Sequence, residues 1–147
     1  GLYMIEVEVC EVPHGSSEYI EALALRDAAL RVPLGLSIKD DDLSDEVNQR
    51  HFAMRQVGSP ALIGCLSAVP YEGAVKLRQM AIADGFRRQG LGSLLVTRVE
   101  ALLKGEERII VHAREYALGF YTQLGYHTVG DRFVEVGIPH FRMEKEL

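Results

Sequence analysis

Apolar and polar positions alternate at the start of the chain. Tyr3, Ile5, Val7 and Val9 form one set, and Met4, Glu6, Glu8 and Cys10 the other. This period of two predicts a half-buried strand over Tyr3–Cys10. Pro13, Gly15 and Ser16 break the run. Ser16 or Ser17 can accept from an early backbone N–H and so begin a helix. Ile20, Leu23, Ala24 and Ala28 recur at helical spacing as far as Arg31, and Pro33-Leu34-Gly35 ends the segment. Strands are predicted over His51–Gln56, Ala61–Val69 and Ala74–Ala83, separated by the turn signals Gly58-Ser59-Pro60 and Tyr71-Glu72-Gly73. Three consecutive strands on short connections imply an antiparallel meander.

The period then changes. Leu91, Leu94, Leu95, Val99, Leu102 and Leu103 lie on one predicted helical face opened by Gly90-Leu91-Gly92 and closed at Gly105. Arg108–Val111 reads as a short strand and Glu115–Leu124 as a second helix stopped by Gly125. Tyr126–Val129 and Pro139–Met143 read as closing strands around a loop containing Gly130 and Gly137. The sum is an α/β (α+β) fold: a mixed sheet of about six to seven strands with helices on both faces, one domain over residues 1–147.

Composition narrows the classes. Hydrophobic residues make up 48% and charged residues 25% of the 147, as in an ordinary globular protein that buries its own core. A net charge of −5 argues against broad nucleic-acid binding, which needs a concentrated basic surface. Cys10 and Cys65 sit in apolar, strand-like segments, so buried reduced thiols are expected; no His/Cys spacing suggests a metal. No apolar run approaches the ~18 residues of a membrane span. No signal-peptide pattern opens the chain, so a cytoplasmic setting is expected, with Met4 a candidate native start. The acidic run Asp40, Asp41, Asp42, Asp45 and Glu46 reads as a solvated loop or short helix start, or alternatively as a mouth for a cationic substrate.

The chemistry concentrates where a strand, a glycine-rich turn and a helix meet. Gly90 and Gly92 lack a Cβ, so an anion can approach the backbone. The first N–H groups of the next helix point at such an anion, and the helix dipole favours it. Arg87 and Arg88 add charge-assisted donors. The pattern suits a pyrophosphate, and it lacks the Lys-Ser/Thr ending of a Walker loop.

Arg87-x-x-Gly90-x-Gly92 resembles the acyl-CoA-binding signature of the GNAT superfamily. Phe120-Tyr121-x-x-Leu124-Gly125-Tyr126 resembles that family's helix-to-strand segment near the acyl thioester. The ending Phe133-x-Glu135-x-Gly137-Ile138-Pro139-His140-x-x-Met143 resembles a subgroup of small bacterial members. The resemblance spans nearly the whole chain and implies a GNAT fold and an N-acetyltransferase using acetyl-CoA, without a metal. It implies pantetheine contacts from the backbone of Met80, Ala81 and Ile82. Pyrophosphate contacts would come from Arg87, Arg88, Gln89, Gly90, Leu91, Gly92 and Ser93. His112 stands where many relatives carry an Asn that touches the cofactor.

Amine acylation needs a base for the ammonium proton, donors for the carbonyl oxygen and an acid for the departing thiolate. Tyr121 is the candidate acid by its match to the family's tyrosine; otherwise it is a packing residue behind the glycine loop. His140 is the first candidate base, Glu135 the alternate and His51 a weaker one; a structural role for His140 stands beside the catalytic one. The acceptor would be the primary amine of a small molecule or peptide, with neither nucleic acid nor membrane as partner and a homodimer left open. The competing reading is a non-catalytic acyl-CoA sensor on the same fold.

Overall fold

Eight strands form one mixed sheet in the computed structural model, which describes residues 5–147. They are β1 (Val7–Val12), β2 (Arg50–Gln56), β3 (Leu62–Tyr71), β4 (Ala74–Ile82), β5 (Arg108–Arg114), β6 (His127–Thr128), β7 (Phe133–Glu135) and β8 (Ile138–Glu146). The order is β1-β2-β3-β4-β5-β8-β6, with β7 also paired to β8. All pairs are antiparallel except β4–β5. Tyr3 and Met4 of the predicted first strand lie outside the described residues. The strand count exceeds the expected six to seven because β7 sits inside the segment expected to be a loop. A tight turn at Val136-Gly137, with φ of 47° and 75°, folds it onto β8.

Helix α1 (Ser17–Arg26) begins at Ser16, whose side chain accepts from the Tyr19 N–H. A single π-helical turn, Asp27–Arg31, continues it. The face it buries is not the predicted one: Tyr19, Ala22 and Arg26 are buried, while Ile20 is 61% exposed. Glu46 explains the difference. Its carboxylate takes both terminal nitrogens of Arg26 at 2.7 and 2.8 Å and the Tyr19 hydroxyl at 2.8 Å. A buried arginine is tolerable only when paired in this way. Ala22 of α1 packs with Cys65 and Ala81 on one face of the sheet.

Helix α2 (Leu91–Leu102) covers the opposite face. Leu91, Leu95, Val96, Val99 and the following Leu103 are all at most 1% exposed and join Phe52, Met54, Ile63 and Leu77 in the main core. Each such side chain contributes about 1.5–3 kcal/mol by leaving water. Leu102, expected on the same apolar face, is instead 41% exposed and lies off the buried side. Helix α3 (Leu118–Gln123), preceded by a 3-10 turn at Glu115–Ala117, lies beside α2, with the Phe120 ring 3.7 Å from the position a Cβ on Gly92 would take. Of the two cysteines, Cys65 is buried as expected, but Cys10 is exposed on the edge strand β1; both are free thiols.

Candidate active site

The parallel strands β4 and β5 are in register only at Val75–Ile109 and Lys76–Ile110. Beyond that point β4 stays with β3, and β5 stays with β8 as far as Arg114. The two strands therefore diverge and open a cleft through the sheet. A bulge in β4 shapes its wall: Cys65 pairs with Ala81 but Ser67 with Arg78, so β4 carries one extra residue. Gln79 absorbs it at φ 59°. The extra residue reverses the alternation, which is why Leu77 packs under α2 while Ala81 packs under α1. Ala83 donates to Ile63 of β3. Alternation then turns the backbone groups of Ala81 toward β3 and those of Met80 and Ile82 toward the cleft. Of the three expected pantetheine contacts, Ala81 is thus committed to the sheet, and the Ile82 carbonyl already accepts from Arg87 Nε at 3.2 Å.

Past β4 the chain forms a loop with three left-handed residues, Gly85 (φ 89°), Arg88 (φ 61°) and Gly90 (φ 76°). Gln89 braces it by donating to the Gly85 carbonyl at 3.2 Å. Gly90 is the N-cap of α2 and supplies no side-chain cap, so the N–H groups of the first turn face outward as donors. Gly92 is helical, and a Cβ there would meet only the Phe120 ring at ordinary contact distance. Its lack of a side chain answers no demand of the fold. The loop suits an anion laid against the backbone.

The cleft encloses about 660 Å³. Leu66, Leu77, Phe120 and Tyr121 wall it on the α2 side, and Leu30, Arg31 and Leu34 of the segment after α1 add another wall. Lys76, Arg78, His112, Arg114, Glu135 and His140 also line it. Tyr121 meets Phe120 and Tyr126 edge-on, with ring centres 4.9 and 5.5 Å away. Burial, with a smaller contribution from Tyr116, pushes its phenol up to about 12, so it keeps its proton at neutral pH. Glu135 lies between two imidazoles. Its Oε1 is 3.1 Å from His112 Nδ1 and its Oε2 is 3.9 Å from His140 Nε2. Burial raises the Glu135 carboxyl, but the His112 hydrogen bond and the surrounding cations outweigh that and hold it below the usual range. Desolvation, aided by the charge of Lys76, holds His112 below its ordinary value against the opposing pull of Glu135. His112 is therefore mainly neutral at pH 7, with Nδ1–H donated to Glu135 and a lone pair on Nε2. His140 donates Nδ1–H to the Ile138 carbonyl at 2.7 Å and is stacked by Phe133.

The expected site residues thus fall into two groups. Residues 87–93 build the loop, and Tyr121, Glu135 and His140 meet in the cleft. His112 joins the cleft group, where Glu135 holds one of its ring nitrogens. His51 is excluded as a base, because Ser67 Oγ at 2.7 Å and the Glu46 carbonyl at 2.8 Å occupy both its ring nitrogens. Of the acidic run, Glu46 is buried against Arg26 and Asp41 pairs with Arg31 at 2.9 Å, while Asp42 and Asp45 line a recess beside these arginines and Arg78. Neither cysteine lines the cleft, and burial raises the Cys65 thiol to about 12, which leaves it inert. The sequence reading missed Lys76, Arg78 and Arg114. The signal was there in β5, where His112 and Arg114 alternate with buried Val111 and Ala113, and in β4, where Lys76 and Arg78 flank buried Leu77.

Comparison with known proteins shows the family and the fold. The family model of the acetyltransferase (GNAT) domain matches residues 25–147. The chain belongs to the GNAT acetyltransferase family. The Bacillus subtilis protein YyaT, itself uncharacterized, is 30% identical over 81% of this chain and 87% of its own. A presumed N-acetyltransferase from Lactobacillus plantarum superposes with a TM-score of 0.84 at 22% identity, covering 96% of this chain and 98% of that one. A GNAT acetyltransferase from Elizabethkingia anophelis, solved with acetyl-CoA bound, superposes at 0.67 with 16% identity over 96% and 98% of the two chains. At such identities these two structures establish the GNAT fold alone. Among the described residues, no helix is long and apolar enough to cross a membrane, and no group of three His, Cys, Asp or Glu side chains is arranged to hold a metal ion.

Proposed function

We propose that the protein moves an acetyl group from acetyl-CoA to a primary amine by direct attack in the β4–β5 cleft. The observation that carries this reading is a protonated phenol, Tyr121, lining the same cavity as a carboxylate-held neutral imidazole, Glu135–His112. The bound acetyl-CoA of the Elizabethkingia relative supports the choice of donor. The loop 87–93 would hold the pyrophosphate on its free N–H groups, and the cleft-facing backbone of Met80 would donate to the thioester carbonyl oxygen.

His112 Nε2 takes the proton of the incoming amine, while Glu135 fixes the ring and stabilises the imidazolium that forms. His140 and Phe133 hold the hairpin that presents Glu135. Tyr121 gives its proton to the departing sulfur, and its raised pKa keeps that proton available. Thiol release from acetyl-CoA across a panel of primary amines tests the reading. Turnover that disappears in both Tyr121→Phe and His112→Asn supports it. Tight acetyl-CoA binding without thiol release for any amine would instead favour an acyl-CoA-binding module.

A further inference from the structure

The walls of the cleft differ in charge from the chain as a whole. The protein carries a net charge of −5, yet Arg31, Lys76, Arg78 and Arg114 line the cavity against one carboxylate, Glu135. Asp41 neutralises Arg31. Among the described residues, no carboxylate lies within 4.0 Å of the charged ends of Lys76, Arg78 or Arg114.

These cations are also separate from the phosphate seat, since no residue of the loop 87–93 lines the cavity. Arg78 continues into an adjoining recess with Arg26, Arg31 and Gln79, on the face of the sheet that α1 covers. Asp41, Asp42, Asp45 and Glu46 also line that recess. Asp41 pairs with Arg31 and Glu46 with Arg26, while Asp42 and Asp45 keep their charge but form no ion pair with Arg78. Lys76 is half-buried with its ammonium 4.4 Å from the centre of the Tyr71 ring, which directs the charge without neutralising it. Burial and the charges of Arg78 and Arg142 hold its pKa below the ordinary lysine value, against the opposing pull of Glu135 and Glu72.

Taking the acetyl-transfer reading as given, we infer that the acceptor is an anionic amine, one bearing a carboxylate or phosphate group that Lys76, Arg78 and Arg114 bind while its amine faces His112. The same cations disfavour the ammonium form of the amine, so one wall both anchors the acceptor and lowers the barrier to its deprotonation. A polyamine would meet repulsion from the same groups.

The test compares acceptors that differ only in the anion: α- and ω-amino acids, their carboxamides, aminoalkylphosphonates and spermidine. The carboxylate- and phosphonate-bearing amines are expected to exceed the carboxamides in kcat/KM by about tenfold or more, the usual worth of a charge-assisted hydrogen bond. Their relative rates distinguish a carboxylate from a phosphate preference. Lys76→Met and Arg78→Gln should each raise KM for the anionic acceptor while leaving the Kd for CoA unchanged. Lys104→Gln, an equal charge change on an exposed residue after α2, should do neither. A second readout does not depend on turnover: calorimetry of the CoA-saturated protein with an N-acetyl amino acid and with its amide. Tighter binding of the acid, weakened by Lys76→Met, supports the inference even if no amine is acetylated, an outcome that would sink only the catalytic reading. Equal rates and equal binding for acid and amide, or a preference for spermidine, would overturn it.

Discussion

The glycine-rich loop follows the C-terminal end of β4, whose middle lines the cleft, and the two regions are built on different principles. The loop works through its backbone: left-handed residues at Gly85, Arg88 and Gly90 and an uncapped helix start present N–H groups, with almost no side chain buried. The cleft is lined by side chains from β4, β5, the turn before α3, α3, β7 and β8, and its His112–Glu135 pair joins groups far apart in sequence. Backbone recognition tolerates most substitutions and fails where a Cβ blocks approach. Side-chain chemistry fails with the loss of single atoms. The two regions should therefore break in separable ways.

The largest effect is expected at the loop. Gly92→Val puts a branched side chain over the donors of the first α2 turn, and calorimetry should find CoA binding abolished while far-UV circular dichroism stays native. Gly90→Val should also lose binding but adds about 1–3 kcal/mol of strain, because φ there is 76°. A lower Tm in Gly90→Val than in Gly92→Val separates strain from blocked approach. Unchanged affinity in both would remove the loop from the cofactor site.

In the cleft, Tyr121→Phe keeps the ring contacts and removes one hydroxyl. We expect kcat to fall by roughly 10² to 10⁴, with acetyl-CoA affinity nearly constant. Near-normal kcat would class Tyr121 as a packing residue.

The buried Arg26–Glu46 pair sets the position of α1 against the cleft wall. Glu46→Gln leaves Arg26 without its counter-charge, and chemical denaturation should show a loss of about 3–5 kcal/mol. Burial raises the Glu46 carboxyl, but hydrogen bonds from Arg26 and Tyr19 outweigh it and bring the folded pKa below 4.5. The contribution of Glu46 is therefore present above pH 4.5 and lost as the pH falls through the lower folded value. A Glu46→Gln variant with wild-type stability at pH 7 would contradict this.

Glu135→Gln divides two assignments of the base. If His112 is the base, kcat/KM should fall about 10²-fold. Its acid limb should also move to lower pH, because Glu135 raises the His112 pKa. Disappearance of that limb would make Glu135 itself the base. At the small end, Asp40→Asn with Asp42→Asn should leave kcat/KM and its salt dependence unchanged, since both lie on exposed surface. A weakened salt response would restore the acidic mouth.

Much of the fold was legible because its signals are local. The Ser16 cap, the β2–β4 meander and the i, i+4 series Leu91, Leu95 and Val99 depend on neighbours within one or two turns, and all appear in the structure. The loop 87–93 was legible for the same reason, since its chemistry lies in consecutive backbone groups. Where local signals misled, a distant partner had decided the matter. Arg26 and Tyr19 replaced Ile20 on the buried face of α1 because Glu46, twenty residues beyond Arg26, supplies their counter-charge and acceptor. Likewise β7 formed because β8 was there to pair with it.

The sequence by itself determined most of the strand and helix succession, the glycine-rich loop before α2 and the set of titratable residues that the fold could bring together. Only the tertiary structure decided which of them meet. The β4 bulge at Gln79 and the two-residue register of β4 with β5 open the cleft. That opening brings Tyr121, His112 and Glu135 to one cavity, with Lys76, Arg78 and Arg114 around it. Hydrogen bonds and ion pairs form between groups a few ångströms apart in space, and chain position says little about that distance until the sheet has closed.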